Sequence, residues 1–139
     1  MSDLPDLPPV TPYLTVSDAP AAILFYQRAF ESREVSRVEA QDGKRLMHAA
    51  LVLNGGMVML SDVFPEFNDG RRKAPGPDRE TGVTIHLNMT DVDAVMARAV
   101  AAGAKVLMPP ADMFWGERFG KLRDPFGHEW SVGGPVREG

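Results

Sequence analysis

The chain contains one segment twice. Val10-Thr11-Pro12-Tyr13-Leu14-Thr15-Val16-Ser17-Asp18 aligns without a gap on Val83-Thr84-Ile85-His86-Leu87-Asn88-Met89-Thr90-Asp91. Each copy runs on into an alanine-rich amphipathic stretch, Ala21 to Phe30 in the first and Ala94 to Gly103 in the second. A period of about half the chain is too long for a solenoid unit, which runs roughly 20–50 residues. The duplication therefore predicts two modules of one domain folding face to face, and 139 residues suffice for a core without staples.

Within each copy the apolar, β-branched run (Val10 to Val16, Val83 to Met89) reads as a strand that stops at a helix cap. Ser17-Asp18 and Thr90-Asp91 carry side-chain oxygens that can accept the orphan amides of a following helix. Ile23, Phe25, Tyr26, Ala29 and Phe30 recur at helical spacing, as do Val92, Val95, Met96, Ala99 and Val100, and Gly103 suits a left-handed C-cap. Three more strands follow each helix. In the first module they are Glu34–Val38, Arg45–Leu53 and Met57–Ser61, turned by Gln41-Asp42-Gly43-Lys44 and Asn54-Gly55-Gly56. In the second they are Lys105–Met108, Gly120–Leu122 and Glu129–Val132, with a longer loop at Phe114-Trp115-Gly116 and a turn at Asp124-Pro125-Phe126-Gly127. The fold class is α+β: two tandem βαβββ modules, about 10–62 and 82–133, around a central cleft. A Pro/Gly-rich, charged link over about 63–81 reads as mobile.

Composition narrows the class. Zero cysteines exclude disulfides, thiolate catalysis and Cys-ligated zinc. A net charge of −4 gives no basic footprint for nucleic acid, and Arg71-Arg72-Lys73 reads as a solvated loop face. No run approaches the roughly 18 apolar residues of a membrane span, and no leader is read at the start. The expectation is a cytoplasmic single-domain protein with neither nucleic acid nor membrane as partner. Neither a serine-nucleophile motif nor a phosphate-cradling glycine loop is present.

The paired βαβββ pattern resembles the vicinal oxygen chelate superfamily of glyoxalase I, extradiol dioxygenases, bleomycin-resistance and fosfomycin-resistance proteins. Thr11-Pro12-Tyr13-Leu14 followed by Phe25-Tyr26, Met47-His48-Ala49, Phe114-Trp115-Gly116-Glu117-Arg118 and Asp124-Pro125-Phe126-Gly127-His128-Glu129-Trp130 look like its PhnB-like branch, over roughly Val10 to Val132. The resemblance implies a homodimer with clefts shared between chains. It also implies a divalent metal held by the first and last strands of each module, here at Thr11, Met59, Thr84 and Ser131. None of these is His, Asp or Glu, so no metal or other cofactor is expected.

Strand parity then nominates a cleft. Residues two apart share a face, which groups Tyr13 with Thr11, His86 with Thr84 and Glu129 with Ser131, and sets His48 opposite the core-facing Ala49, Leu51 and Leu53. Met57 and Met59 supply soft walls, while Trp130 falls on the core side. By loop position, Trp115 is a flap that either packs on the core or stacks on a ligand, and Arg118 pairs either with an anionic ligand or with Glu117 or Asp112 nearby. The candidate cleft is Tyr13, His48, Met59, His86, Trp115, Arg118, Glu129 and Ser131, binding a small organic molecule; no catalytic residue is assigned. His128 reads as a structural turn residue. The competing class is a metal-dependent lyase, isomerase or dioxygenase using His48, His86 and Glu129 as displaced ligands, or a metal-free acid–base catalyst using His48 or His86. An inert scaffold is the third reading.

Overall fold

The computed structural model describes residues 8–67, 74–75 and 81–136. Most of the inter-module link, including Arg71-Arg72-Lys73, lies outside the described residues, and with it the reading of that link as mobile. The first module runs β1 (Tyr13–Val16), α1 (Ala19–Phe30), β2 (Arg33–Glu39), β3 (Leu46–Leu53) and β4 (Gly56–Asp62), followed by a short 3₁₀ turn, Pro65–Phe67. The second runs β5 (Thr84–Asn88), α2 (Val92–Ala102), β6 (Lys105–Asp112), β7 (Glu117–Arg123) and β8 (Glu129–Pro135). Each module forms one four-stranded sheet, in the orders β1-β4-β3-β2 and β5-β8-β7-β6. Both sheets open with a parallel pair and continue antiparallel.

The two modules agree down to register. Tyr13 pairs with Met59 and His86 with Ser131, so the duplicated strands meet their last strands at equivalent points. The helices start where the caps predict: Asp18 accepts the Ala21 amide and Asp91 the Ala94 amide, each at 3.1 Å. Gly103 ends α2 at φ 122°, whereas α1 ends on Glu31 at φ 57°, an uncommon conformation for a residue with a side chain. Val100, expected on the α2 stripe, is exposed: the buried stripe is Val92, Val95, Met96 and Ala99. At the end of β4, buried Asp62 accepts the Ala19 and Leu46 amides, tying α1 and β3 to that strand.

Three strands of the second module are longer than expected, β8 running on to Pro135. β6 continues through Pro109-Pro110 to Asp112, because it is an edge strand whose ladder can lose amides; its register shifts between Met108 and Ala111, across the prolines. β7 starts at Glu117, so Phe114-Trp115-Gly116 is the tip of a hairpin closed by Met113 and Glu117, not a long loop.

A single core joins the modules. Trp130, as its parity predicts, is fully buried on the helix side, with Tyr26 and Phe30 of α1 at ring distances of 5.3 and 4.9 Å. Asp124, in the β7–β8 turn, accepts from Tyr26 Oη, Trp130 Nε1 and the amides of Phe126 and His128. The imidazole Nε2 of His128 donates to the Thr15 carbonyl at 2.9 Å, a second inter-module tie. With the helices on one side, the opposite faces of both sheets are left free of them. No helix among the described residues is long and apolar enough to cross a membrane.

Candidate functional site

The edge strands β1 and β5 face a common space, a cavity of about 600 Å³. Its walls are the segments 10–14 and 81–86, closed by His128 and Glu129. Much of that wall is backbone and apolar side chain, with Tyr13 and His86 entering from equivalent positions of the two modules. Concave, mainly apolar spaces with a few placed polar groups are where small molecules bind.

Each of these two side chains is held by a neighbour. Tyr13 Oη lies 2.8 Å from His48 Nδ1, with the rings 5.6 Å apart. Burial raises the Tyr13 phenol above its ordinary value, and a hydrogen bond with Ser61 opposes that shift. His86 Nδ1 lies 2.7 Å from Ser131 Oγ, and its Nε2 lies 3.2 Å from Asn88 Oδ1. With a carboxamide oxygen as acceptor, Nε2 carries the proton and the Ser131 hydroxyl donates to Nδ1. On the floor, the buried Glu129 carboxylate accepts from Arg123 Nη2 at 3.1 Å and from Thr84 Oγ1 at 3.4 Å.

Of the eight nominated residues, Tyr13, His86 and Glu129 wall this cavity. His48 stands behind Tyr13, Ser131 behind His86, and Met59 is the register partner of Tyr13. Trp115 is half exposed and outside the wall. Its indole donates to Glu117 Oε1 at 3.0 Å and meets Phe119 edge-on, and Phe119 in turn stacks on His86 at 6.0 Å.

Arg118 takes the second of its two expected roles, an internal ion pair that includes Asp112, and is not in the cavity wall. It points to the helix side, where Nε and Nη2 bind Asp93 of α2 at 2.7 and 2.8 Å and Nη1 binds Asp112 at 3.1 Å. These bonds, Asp93 first, raise its pKa further and fix its charge in an internal pair. Parity explains the placement: once β7 begins at Glu117, Arg118 falls in line with the core-facing Gly120 and Leu122, while Glu117, Phe119, Lys121 and Arg123 take the open face. The expected strand, Gly120–Leu122, was too short to carry that parity back to Arg118.

The positions where the resemblance places metal ligands hold three hydroxyls and a thioether. Thr11 donates to the Pro8 carbonyl, Thr84 to Glu129 and Ser131 to His86. This set supplies no anionic oxygen or free imidazole and does not fit a divalent cation. Nor does the chain assemble the displaced triad. His48, His86 and Glu129 form no metal-ligating group, and no cluster of three His, Asp or Glu suited to an ion occurs among the described residues.

The profile of the Glyoxalase/Bleomycin resistance protein/Dioxygenase superfamily matches residues 7–132. The chain belongs to that superfamily. It is 50% identical over 131 residues to the Mycobacterium bovis protein Mb0911c, covering 94% of this chain and 86% of that one. Among solved structures, TioX from Micromonospora sp. ML1 matches with a TM-score of 0.69 at 27% identity, over 91% of this chain and 98% of its own. The PhnB protein from Bacillus cereus matches with a TM-score of 0.71 at 21% identity, over 91% and 99%, a likeness of fold. Fold and superfamily thus agree with the duplicated βαβββ plan. Lys121, Arg123, Glu117 and Asn88 are the open-face residues that sequence reasoning missed, and parity carried from Ser131 through the Asp124–Gly127 turn would have found the first two.

Proposed function

We propose that this superfamily member is a metal-free, PhnB-like binding protein that takes a small organic molecule into the cavity between β1 and β5. One observation carries the reading: an apolar space of about 600 Å³ is walled by both duplicated strands, with Tyr13 and His86 as its matched polar anchors. Binding needs only shape, apolar walls and a few polar groups, so it survives a Thr/Met/Thr/Ser set at the ligand positions. The PhnB-like assignment rests on the Phe114–Arg118 and Asp124–Trp130 motifs. The same resemblance supports a homodimer, and Phe114, 97% exposed at the hairpin tip, is an apolar contact that such an assembly would cover.

The test is calorimetric titration with 2-naphthalenemethanol, a neutral planar probe. Saturable binding that weakens in Tyr13→Ala and His86→Ala, without added metal, supports the reading. Binding that requires zinc, nickel or manganese overturns it. Light scattering on an eluting column reports the dimer directly.

A further inference from the structure

A second cavity, of about 500 Å³, opens on the helix-free face of the second sheet, walled by Thr81, Leu107, Met108, Lys121, Arg123 and Glu129. Thr81 and Glu129 also wall the first cavity, so the two spaces adjoin across these residues. Register explains why two cations gather here. Lys121 pairs with Ser131 and Arg123 with Glu129, which puts both on the face away from buried Leu122 and Trp130.

The charges are not equivalent. Arg123 is committed to Glu129 at 3.1 Å, a buried pair that answers the one carboxylate among the described wall residues. Lys121 is half buried, and its ammonium takes no ion pair or hydrogen bond among the described residues. An ammonium on an open wall, with no protein partner among the described residues, gains most from an anionic oxygen brought by a ligand. Its neighbours on that wall, Leu107 and Met108, are apolar and suit the carbon skeleton next to such a group.

Resting on the binding function proposed above, we infer that Lys121 is the anion-binding end of the site. The ligand is then an amphiphilic monoanion, with its apolar body between β1 and β5 and its carboxylate at Lys121. One uncommitted cation among the described wall residues matches one negative charge, and a phosphate dianion would leave charge unanswered. The anion-binding role weighed for Arg118 thereby passes to a residue three positions on.

The experiment pairs 2-naphthoate with its neutral counterpart 2-naphthalenemethanol on the full chain, using wild type, Lys121→Gln and Lys121→Arg. Wild type should prefer the carboxylate by roughly tenfold, the size of one charge-assisted hydrogen bond. Lys121→Gln should lose that preference and keep its affinity for the alcohol, Lys121→Arg should retain the preference, and salt should shrink it. If Lys121→Gln keeps the preference, or weakens both probes equally while its circular dichroism matches wild type, the anion role is overturned and the cavity reading stands. If wild type binds neither probe, both fall together.

Discussion

Tyr26, in the helix of the first module, donates its phenol hydrogen to Asp124, in the last turn of the second. The two are 98 residues apart in sequence, and both are buried in the shared core. Asp124 draws its remaining donors from its own turn and from Trp130, so Tyr26 is the donor that brings α1 to it. Removing the hydroxyl in Tyr26→Phe should cost about 1–3 kcal/mol, because a hydrogen bond to a buried carboxylate is lost. Chemical denaturation at neutral pH checks this.

The same pair predicts an alkaline limb. Burial first, and then the Asp124 charge, raise the Tyr26 phenol well above its ordinary value of 10.0. A pKa raised by folding contributes stability that is fully present below pH 10 and lost as pH climbs through the folded value. The stability advantage of wild type over Tyr26→Phe should therefore hold up to about pH 10 and shrink above it. An advantage that grows with pH would place the phenolate, not the phenol, in the native state.

Adjacent glycines in β8 separate fold from site. A Cβ on Gly134 would collide with the Met89 carbonyl, backbone of the β5–α2 link that cannot swing aside, and lie 3.2 Å from Val92 Cγ2. Gly134→Ala should destabilise by about 1–3 kcal/mol or more, as overpacking does. The nearest atoms to a Cβ on Gly133 are the ends of two side chains, the Glu117 carboxylate at 2.7 Å and His86 Cε1 at 2.8 Å. Gly133→Ala should melt near wild type but weaken 2-naphthalenemethanol binding by displacing His86. The reverse pattern would remove His86 from the site.

The metal expectation is tested without reference to any activity. Titration of zinc, nickel and manganese into the protein should give no tight binding, since Thr11, Met59, Thr84 and Ser131 offer no anionic donor. Tight binding abolished by His86→Ala or His48→Ala would establish an imidazole-based site and reopen metal-dependent chemistry.

What could be read from sequence was whatever had a period or a local cap. The gapless repeat led to the matched registers of Tyr13 and His86, and alternation placed Ala49, Leu51, Leu53 and Trp130 in the core. β7 resisted, because Glu-Arg-Phe-Gly-Lys-Leu-Arg puts glycine and arginine on the helix side and phenylalanine on the open side, hiding the alternation. The hidden alternation conceals both that Arg118 turns to the helix side and that Lys121 turns to the open face. β6 was cut short at its prolines, because a sequence does not declare which strand will lie at an edge. The Tyr26–Asp124 tie has no local signal, since it depends on how two finished modules dock.

Trp115 is the remaining case where geometry changes the expectation. Its loop position left packing on the core or stacking on a ligand open, but the indole is half exposed, held by Glu117, and outside the cavity wall. It reaches the site through a relay, edge-on to Phe119, which is stacked on His86. Trp115→Ala should leave the fold intact and weaken 2-naphthalenemethanol binding by only about 0.5–1 kcal/mol, the scale of one aromatic pair. If the relay is the route, the effect must vanish in a His86→Ala background, because nothing remains for the indole to position. A loss of the same size in both backgrounds would mean that Trp115 touches the probe itself, and the flap would be restored.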